Sequence, residues 1–191
     1  MSTQKTIPGT RKKYSTALLI ALLVIFTALL SVVSLFSLAI GSVPVTLSVL
    51  ALVVIGMVLG PWWGLVPVAA YLLLGLVGVP VYSGFAHGSA ILFGSTGGYL
   101  FSFLFIVLLT GLFVRGLRNP FARFAGVILG QLAYYLGGVA WAVLLWKAIP
   151  VFALLSGVLS FLVPNLIQSV AGFIIGLVLL RLLPSAKPKK G

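Results

Sequence analysis

The chain has 191 residues, of which 62% are hydrophobic and only 6% are charged. Soluble domains are about a quarter charged, so this sequence cannot supply a solvated surface, and a soluble globular protein is excluded. The composition instead predicts a multi-pass protein of the plasma membrane, in which each crossing takes about 20 apolar residues. The formal charge is +12, because the chain has twelve Lys and Arg residues and no Asp or Glu.

The missing residue types exclude several kinds of chemistry. With no Asp, Glu or Cys and a single His, the chain offers no acidic proton relay, no thiolate nucleophile and no set of metal ligands. The phosphate-binding pattern G-x-x-x-x-G-K-[ST] does not occur in the sequence. We therefore expect neither an enzyme nor a bound cofactor or metal, and uphill transport would need energy from another protein.

Six apolar segments follow one another along the chain, and they predict an all-α bundle of six transmembrane helices. Residues 41–44 form a predicted outer turn after the first segment, and a Gly-Pro pair at residues 60–61 ends the second. A loop rich in Gly and Ser covers residues 80–98, and loops of that length are usually functional. The predicted spans are residues 14–36, 46–60, 65–79, 99–114, 124–146 and 164–183.

The segment 151–163 is too short to cross a bilayer and lies between two prolines. We predict a re-entrant or interfacial helix there, followed by a last span whose first helical residue is Pro164. The free N–H groups and the positive dipole end of a helix that begins at Pro164 would favour an anion at that point.

The basic residues lie at segment ends, so their placement indicates membrane topology and gives no reason to expect a nucleic-acid partner. Clusters precede the first span, separate the fourth span from the fifth, and follow the last span, and only Lys147 stands apart. With six crossings and both termini in the cytoplasm, eleven of the twelve cations lie inside, as the positive-inside rule requires. We predict a basic cytoplasmic segment at 1–13, a transmembrane domain at 14–183 and a basic cytoplasmic tail at 184–191.

Polar residues inside the spans need partners, because an unpaired amide in hydrocarbon costs several kcal/mol. Gln131 and Tyr135 are one turn apart on the fifth span, and Asn165 and Gln168 share a face of the sixth. These four side chains either line one polar cavity or form hydrogen bonds that hold the helices together.

Six strings of this sequence resemble, in order, the signature segments of the BioY family, the biotin-binding S components of energy-coupling-factor (ECF) vitamin transporters. The likeness spans nearly the whole chain, and the P-V-T-L, Y-L-L-L-G and T-G-G-Y-L strings are specific to that family. The strings are SVPVTL at 42–47, LGPWWG at 59–64, YLLLGLVGVPV at 71–81, GSTGGYL at 94–100, YLGGVAW at 135–141 and VPNLIQ at 163–168.

The resemblance implies a six-helix S-component bundle, surrounded by membrane lipids, that captures biotin near the outer surface. It also implies three partner subunits: a transmembrane T component and two cytoplasmic ATPases. Proteins of this kind use an Ala-x-x-x-Ala patch on the first helix to dock the T component, and Ala17 and Ala21 fit that pattern. The alternative interpretation of the pair is ordinary packing against a neighbouring helix of the same chain.

The chain departs from the family pattern at the expected binding site. Asn165 and Gln168 stand where the family has an Asp and, three residues later, a Lys. Neutral hydrogen bonds are roughly half as strong as charge-assisted ones, so this substitution predicts weaker biotin binding or a ligand of different charge. The alternative function is a designed or charge-neutralised bundle of the same fold that binds biotin weakly or not at all.

Further candidates for the ligand site come from the matching strings and from the outer side of the predicted bundle. Lys147 is the only predicted outer cation, so it either attracts an anionic vitamin or anchors a helix end at the membrane surface. His87 lies in the outer loop, at the ligand entrance or in solvent. The other candidates are Tyr82, Phe85, Gly97, Gly98, Tyr99, Tyr135 and Trp141.

Overall fold

A computed structural model of the protein describes residues 15–40, 43–117, 119–146 and 151–183. It confirms the helical bundle and adds one short β-hairpin. The elements are α1 (Thr16–Leu35), β1 (Ser37–Ile40), β2 (Val43–Thr46), α2 (Ser48–Leu76), a 3-10 turn (Ser83–Phe85), α3 (Ser89–Leu92), α4 (Gly97–Gly116), α5 (Pro120–Trp146) and α6 (Val151–Leu182).

Helix α1 begins at a capping serine and packs on the bundle through one stripe. The Ser15 hydroxyl accepts a hydrogen bond from the backbone N–H of Leu18, as is typical of a helix N-cap. Leu22, Phe26 and Leu30, spaced four residues apart, are the buried apolar residues of the helix. Large apolar side chains such as Ile20, Val24 and Ile25 are exposed on the rest of the helix, which fits contact with lipid or with another membrane protein.

The predicted outer turn at 41–44 belongs to the hairpin between α1 and α2. Strands β1 and β2 pair antiparallel, with Ser37 opposite Thr46, so the hairpin brings Thr46 next to the end of α1. Residues 41 and 42, between the two strands, lie outside the described part of the chain, as do the predicted terminal segments 1–13 and 184–191.

Helix α2 reverses direction at Gly60 and therefore contains both the second and the third predicted spans. Gly60 has φ 76° and ψ −173°, a conformation that is essentially restricted to glycine, and Pro61 suits the first position of the helix that follows. Gly64 packs against Ile55, and the first residue of α2, Ser48, lines the same cavity as Tyr71 near its end. The two halves therefore run back along each other, and the third span begins four residues earlier than predicted.

The reversal at Gly60 is fixed by helix α4. The Arg115 guanidinium donates a hydrogen bond to the carbonyl oxygen of Leu59, one of the carbonyls that the end of the first half leaves without a helical partner. Gly111 lies directly against Gly60 and Pro61, since a Cβ atom at residue 111 would overlap their backbone. A charged side chain and a close helix contact thus hold the turn without a connecting loop.

Five helices in the described part of the chain are long and apolar enough to cross a membrane, and α2 is one of them. Because α2 folds back on itself, these five helices supply six helical segments, in agreement with the predicted number of spans. Helices α4 and α5 begin two and four residues before their predicted starts. The core lies between α2, α4 and α5, and α1 and α6 pack on its outside.

The prediction for residues 151–164 is wrong. Helix α6 runs without interruption from Val151 to Leu182, and Pro164 lies in its interior. Pro164 is therefore not a helix start, and no free N–H groups or positive dipole end lie there to attract an anion. A proline removes only one helical N–H, and membrane helices tolerate this because neighbouring helices and local adjustments satisfy the freed carbonyl.

Candidate ligand-binding site

A cavity of about 220 Å³ lies at one end of the bundle, where the hairpin and the 77–96 loop meet the helices. Its described lining contains aromatic rings, aliphatic side chains and hydroxyl groups, but no charged side chain. Pockets of this composition bind ligands through apolar contact and use a few polar groups to orient them. The described lining residues are Ser34, Thr46, Ser48, Tyr71, Tyr82, Ser83, Ala86, Ile91, Thr96, Tyr99, Leu100, Phe103 and Tyr134.

Three hydroxyl groups form a connected set at this cavity. The Ser48 hydroxyl lies 2.7 Å from the Thr46 hydroxyl and 2.7 Å from the Ser34 hydroxyl. The side chain of Tyr71 lines the same cavity. We call Thr46, Ser48 and Ser34, in this order, the hydroxyl chain. The hairpin creates it, because it places the last turn of α1 beside the first turn of α2.

Aromatic rings form another part of the cavity wall. The rings of Tyr71 and Phe103 stack with their centroids 6.3 Å apart, and those of Phe103 and Tyr134 stack at 5.9 Å. Tyr99 packs against Tyr134 at 5.3 Å. Contacts between rings add stability beyond the burial of area, so this wall is well ordered and offers flat apolar surfaces to a ring-shaped ligand.

Tyr82 holds the 77–96 loop on the bundle. Only 1% of its surface is exposed, and its hydroxyl donates a hydrogen bond of 2.7 Å to the carbonyl oxygen of Leu72. Its backbone N–H bonds to the carbonyl of Ala86, and the N–H of Gly88 bonds to the carbonyl of Gly75. Burial raises the pKa of the Tyr82 hydroxyl, which therefore stays protonated at neutral pH and able to donate. The loop is tied to α2 at several points.

The structure brings some of the predicted site residues together and separates others. Tyr82 and Tyr99 line the cavity. Gly98 packs against Trp141, whose indole N–H bonds to the carbonyl of Gly94 at 3.0 Å, so this pair joins the loop to α4 and α5. Gly97 makes a close backbone contact with the carbonyl of Leu92.

The remaining loop candidates are not among the described lining residues, although their neighbours Ser83 and Ala86 are. Phe85 is 62% exposed and has a positive φ of 63°, and His87 is also exposed. Lys147 lies outside the described residues, so the prediction that it attracts an anionic vitamin stays a prediction.

Asn165 and Gln168 are buried, and each makes a hydrogen bond to a neighbouring helix. The Asn165 amide donates to the Tyr135 hydroxyl at 2.9 Å, and the Gln168 carbonyl oxygen accepts from the backbone N–H of Leu50 at 3.3 Å. Gln131 likewise donates to Ser169 at 2.8 Å. These contacts agree with the alternative in which polar side chains hold the helices together. None of the four predicted polar residues belongs to the described lining of the cavity.

Sequence reasoning missed most of the cavity wall. A serine in an apolar span gives no signal, because its hydroxyl can bond to the carbonyl four residues earlier in its own helix. Two adjacent tyrosines look like core or interface residues of any membrane bundle. The sequence did contain one signal for these hydroxyl groups, because Ser34 lies before the predicted turn at 41–44 and Thr46 lies after it. The missed residues include Ser34, Thr46, Ser48, Tyr71, Phe103 and Tyr134.

Comparison of the sequence with known proteins finds the BioY family, in agreement with the resemblance of the six strings. The sequence profile of the BioY family matches residues 3–185. The "Probable biotin transporter BioY" of Pyrococcus horikoshii is 36% identical over 156 residues, which cover 82% of this chain and 92% of that protein. The "Biotin transporter BioY2" of Lactococcus lactis subsp. cremoris is 32% identical over 165 residues, which cover 86% and 91% of the two chains.

The fold also matches a solved structure, described as the S-component for biotin from an ECF-type ABC transporter. The TM-score is 0.79, and the match covers 91% of this chain and 97% of the other at 24% sequence identity. The chain therefore has an S-component fold, which includes its six helical segments, the reversal within α2 and the apolar outer surface. Taken with the match over nearly the whole sequence, this shows that the chain is a multi-pass membrane protein of the BioY family.

Proposed function

We propose that this chain is the substrate-capture subunit of a biotin importer. The single observation that carries the proposal is the cavity, a pocket whose described wall is uncharged and contains both hydroxyl groups and stacked rings, in a member of the BioY family. Biotin has a neutral, polar ureido ring fused to an apolar sulfur ring, and such a cavity complements both parts. The names of the relatives support the same ligand.

The inert-bundle alternative is not favoured. A bundle without a ligand gains stability by filling its interior, because an internal void loses contacts on every side. Here the described residues line a cavity, and several hydroxyl groups lie in its wall. An enzyme is not favoured either, since BioY is a family of transporters.

The distribution of charge supports an outward-facing cavity. Tyr99 lies near the start of α4 at the cavity, and Arg115 lies sixteen residues later, about 24 Å further along the helix. Arg123 and Arg181, at the start of α5 and the end of α6, occur at the same end of the bundle as Arg115. By the positive-inside rule, this distribution supports a cytoplasmic basic end, with the cavity at the outer surface and both termini in the cytoplasm.

The proposed ligand residues are those of the cavity wall, including Tyr82 and Tyr99. Gly97, Gly98 and Trp141 shape the loop beside it. Asn165, Gln168, Tyr135, Phe85 and Lys147 keep their predicted roles at the ligand, and the bonds of the first three support a further role in joining α5, α6 and α2.

Energy for uptake has to come from partners, because the sequence has no phosphate-binding loop. We propose that these partners are a T component and two cytoplasmic ATPases. Ala17 and Ala21 are exposed on the outer face of α1, where two small side chains one turn apart allow another helix to approach closely. Their exposure supports docking of the T component at this point.

Biotin uptake tests the proposal and its docking surface together. Cells that cannot make biotin and that express the chain with a T component and ATPases should accumulate labelled biotin. Changing Ala17 and Ala21 together to leucine should reduce uptake at least tenfold, because the larger side chains hold the partner helix away. The matched control is Ala125→Leu, which enlarges an exposed alanine on α5. Uptake that is absent from all cells, or equal in the docking variant and the control, would contradict the proposal.

A further inference from the structure

The hydroxyl chain differs from the other hydroxyl groups of α1. Thr27 and Ser31 donate to backbone carbonyls four residues earlier in the same helix, at 2.8 and 2.9 Å. This is the ordinary arrangement for a hydroxyl in an apolar helix, because it satisfies the donor locally. Ser34 instead reaches across to Ser48 on α2, and both residues are about 1% exposed yet line the cavity.

The number of protons in the hydroxyl chain defines what it can bind. Each hydroxyl has one O–H donor and two acceptor lone pairs. Two hydrogen bonds join the three groups, so two of the three O–H donors are used inside the chain and one is left, together with several lone pairs. The direction of both bonds can reverse together, which moves the remaining donor from Thr46 to Ser34. The chain therefore presents donor and acceptor groups side by side and carries no charge.

A neutral group that also has donors and acceptors side by side complements such a surface. A cyclic urea has a carbonyl acceptor between two N–H donors. A cationic head would find no acidic partner, because the chain contains no Asp or Glu. The amides of Asn165 and Gln168, which replace the charged pair of the family pattern, are neutral as well, so this pair does not favour a charged head.

We propose that the hydroxyl chain Thr46–Ser48–Ser34, together with Tyr71 of the same cavity, is the specificity determinant for the neutral ureido head of the ligand. The inference rests on the proposed function and deepens it, since it assigns recognition of the polar head to hydroxyl groups of α1, β2 and α2. The stacked rings of the cavity wall then hold the apolar part of the ligand.

Binding of biotin and desthiobiotin to purified variants tests the assignment. Ser34→Ala and Tyr71→Phe each remove one hydroxyl and keep the rest of the side chain. Each should weaken binding of both ligands by about threefold to tenfold, the effect of one neutral hydrogen bond. Ser31→Ala is the matched control, because it removes a hydroxyl from the same helix that bonds only within that helix. Biotin affinity equal to that of the wild type in both variants overturns the inference.

A change in the ligand keeps the test independent of variant folding. In 2-iminobiotin a group that is protonated at neutral pH replaces the ureido carbonyl, so the head becomes a cation. The wild-type chain should bind it at least tenfold more weakly than biotin, because desolvation of the charge is not compensated. Equal affinity for the two ligands overturns the inference and leaves the proposed function standing. A folded wild-type chain that does not bind biotin overturns the proposed function as well.

Discussion

Gly60→Ala is expected to lower the free energy of unfolding by about 3 kcal/mol or more, because two costs add. The backbone of residue 60 has φ 76°, where a side chain is strained whatever the available space. The added methyl group would also overlap the Arg115 guanidinium, which donates to the carbonyl of Leu59 and closes the first half of α2. Moving Arg115 away would leave that carbonyl without its partner. Thermal unfolding of the purified chain in detergent measures the effect.

Two other glycines serve as controls for Gly60. A Cβ at Gly116 meets no atom within 4 Å and the residue has no positive φ, so Gly116→Ala should be nearly neutral. A Cβ at Gly78 also meets no atom within 4 Å, but its φ is 103°, so Gly78→Ala reports backbone strain alone. An unfolding temperature for Gly60→Ala as high as that for Gly116→Ala would show that the reversal of α2 is not fixed as described.

Gly138→Val is expected to weaken biotin binding by about tenfold to a hundredfold while the bundle stays folded. Gly138 on α5 packs directly against the ring of Tyr99, and a Cβ at residue 138 would overlap that ring. The Tyr99 ring must therefore move, and the free volume beside it is the cavity that we propose for the ligand. Calorimetric titration with biotin, together with thermal unfolding, separates lost affinity from lost folding.

The matched control for Gly138→Val is Ala140→Val, which adds methyl groups to an exposed position of the same helix. It should bind biotin like the wild type, because the exposed face of α5 is remote from the cavity wall. If Gly138→Val and Ala140→Val bound biotin equally well, the cavity beside Tyr99 would not be the ligand site.

Two prolines show how far the sequence predicts the helices. The break at residues 60–61 is predictable because a glycine precedes the proline, and glycine can adopt the conformation that a sharp reversal needs. Pro164 follows a valine instead, and the helix continues through it. A proline alone does not decide between a helix start and an interior position, since neighbouring helices can compensate for the lost hydrogen bond.

The predicted residues that line the cavity lie within a family-like string or directly beside one. Tyr99 belongs to the string at 94–100, Tyr82 directly follows the string at 71–81, and both line the cavity. The Ser34–Ser48 contact joins residues fourteen positions apart, and it depends on the hairpin between α1 and α2. The polar amides were visible in the sequence, but whether Asn165 points toward a cavity or toward Tyr135 depends on how α5 and α6 pack. Contacts of this kind are set by tertiary packing and not by local pattern.

The central proposal is that the cavity at the outer end of the bundle holds biotin. Calorimetric titration of the purified wild-type chain with biotin tests this claim without partners or ATP. We expect saturable binding of one biotin per chain, with an affinity between nanomolar and micromolar and weaker binding in Gly138→Val. A folded wild-type chain that releases no heat with biotin or desthiobiotin would contradict the proposal that this cavity binds biotin.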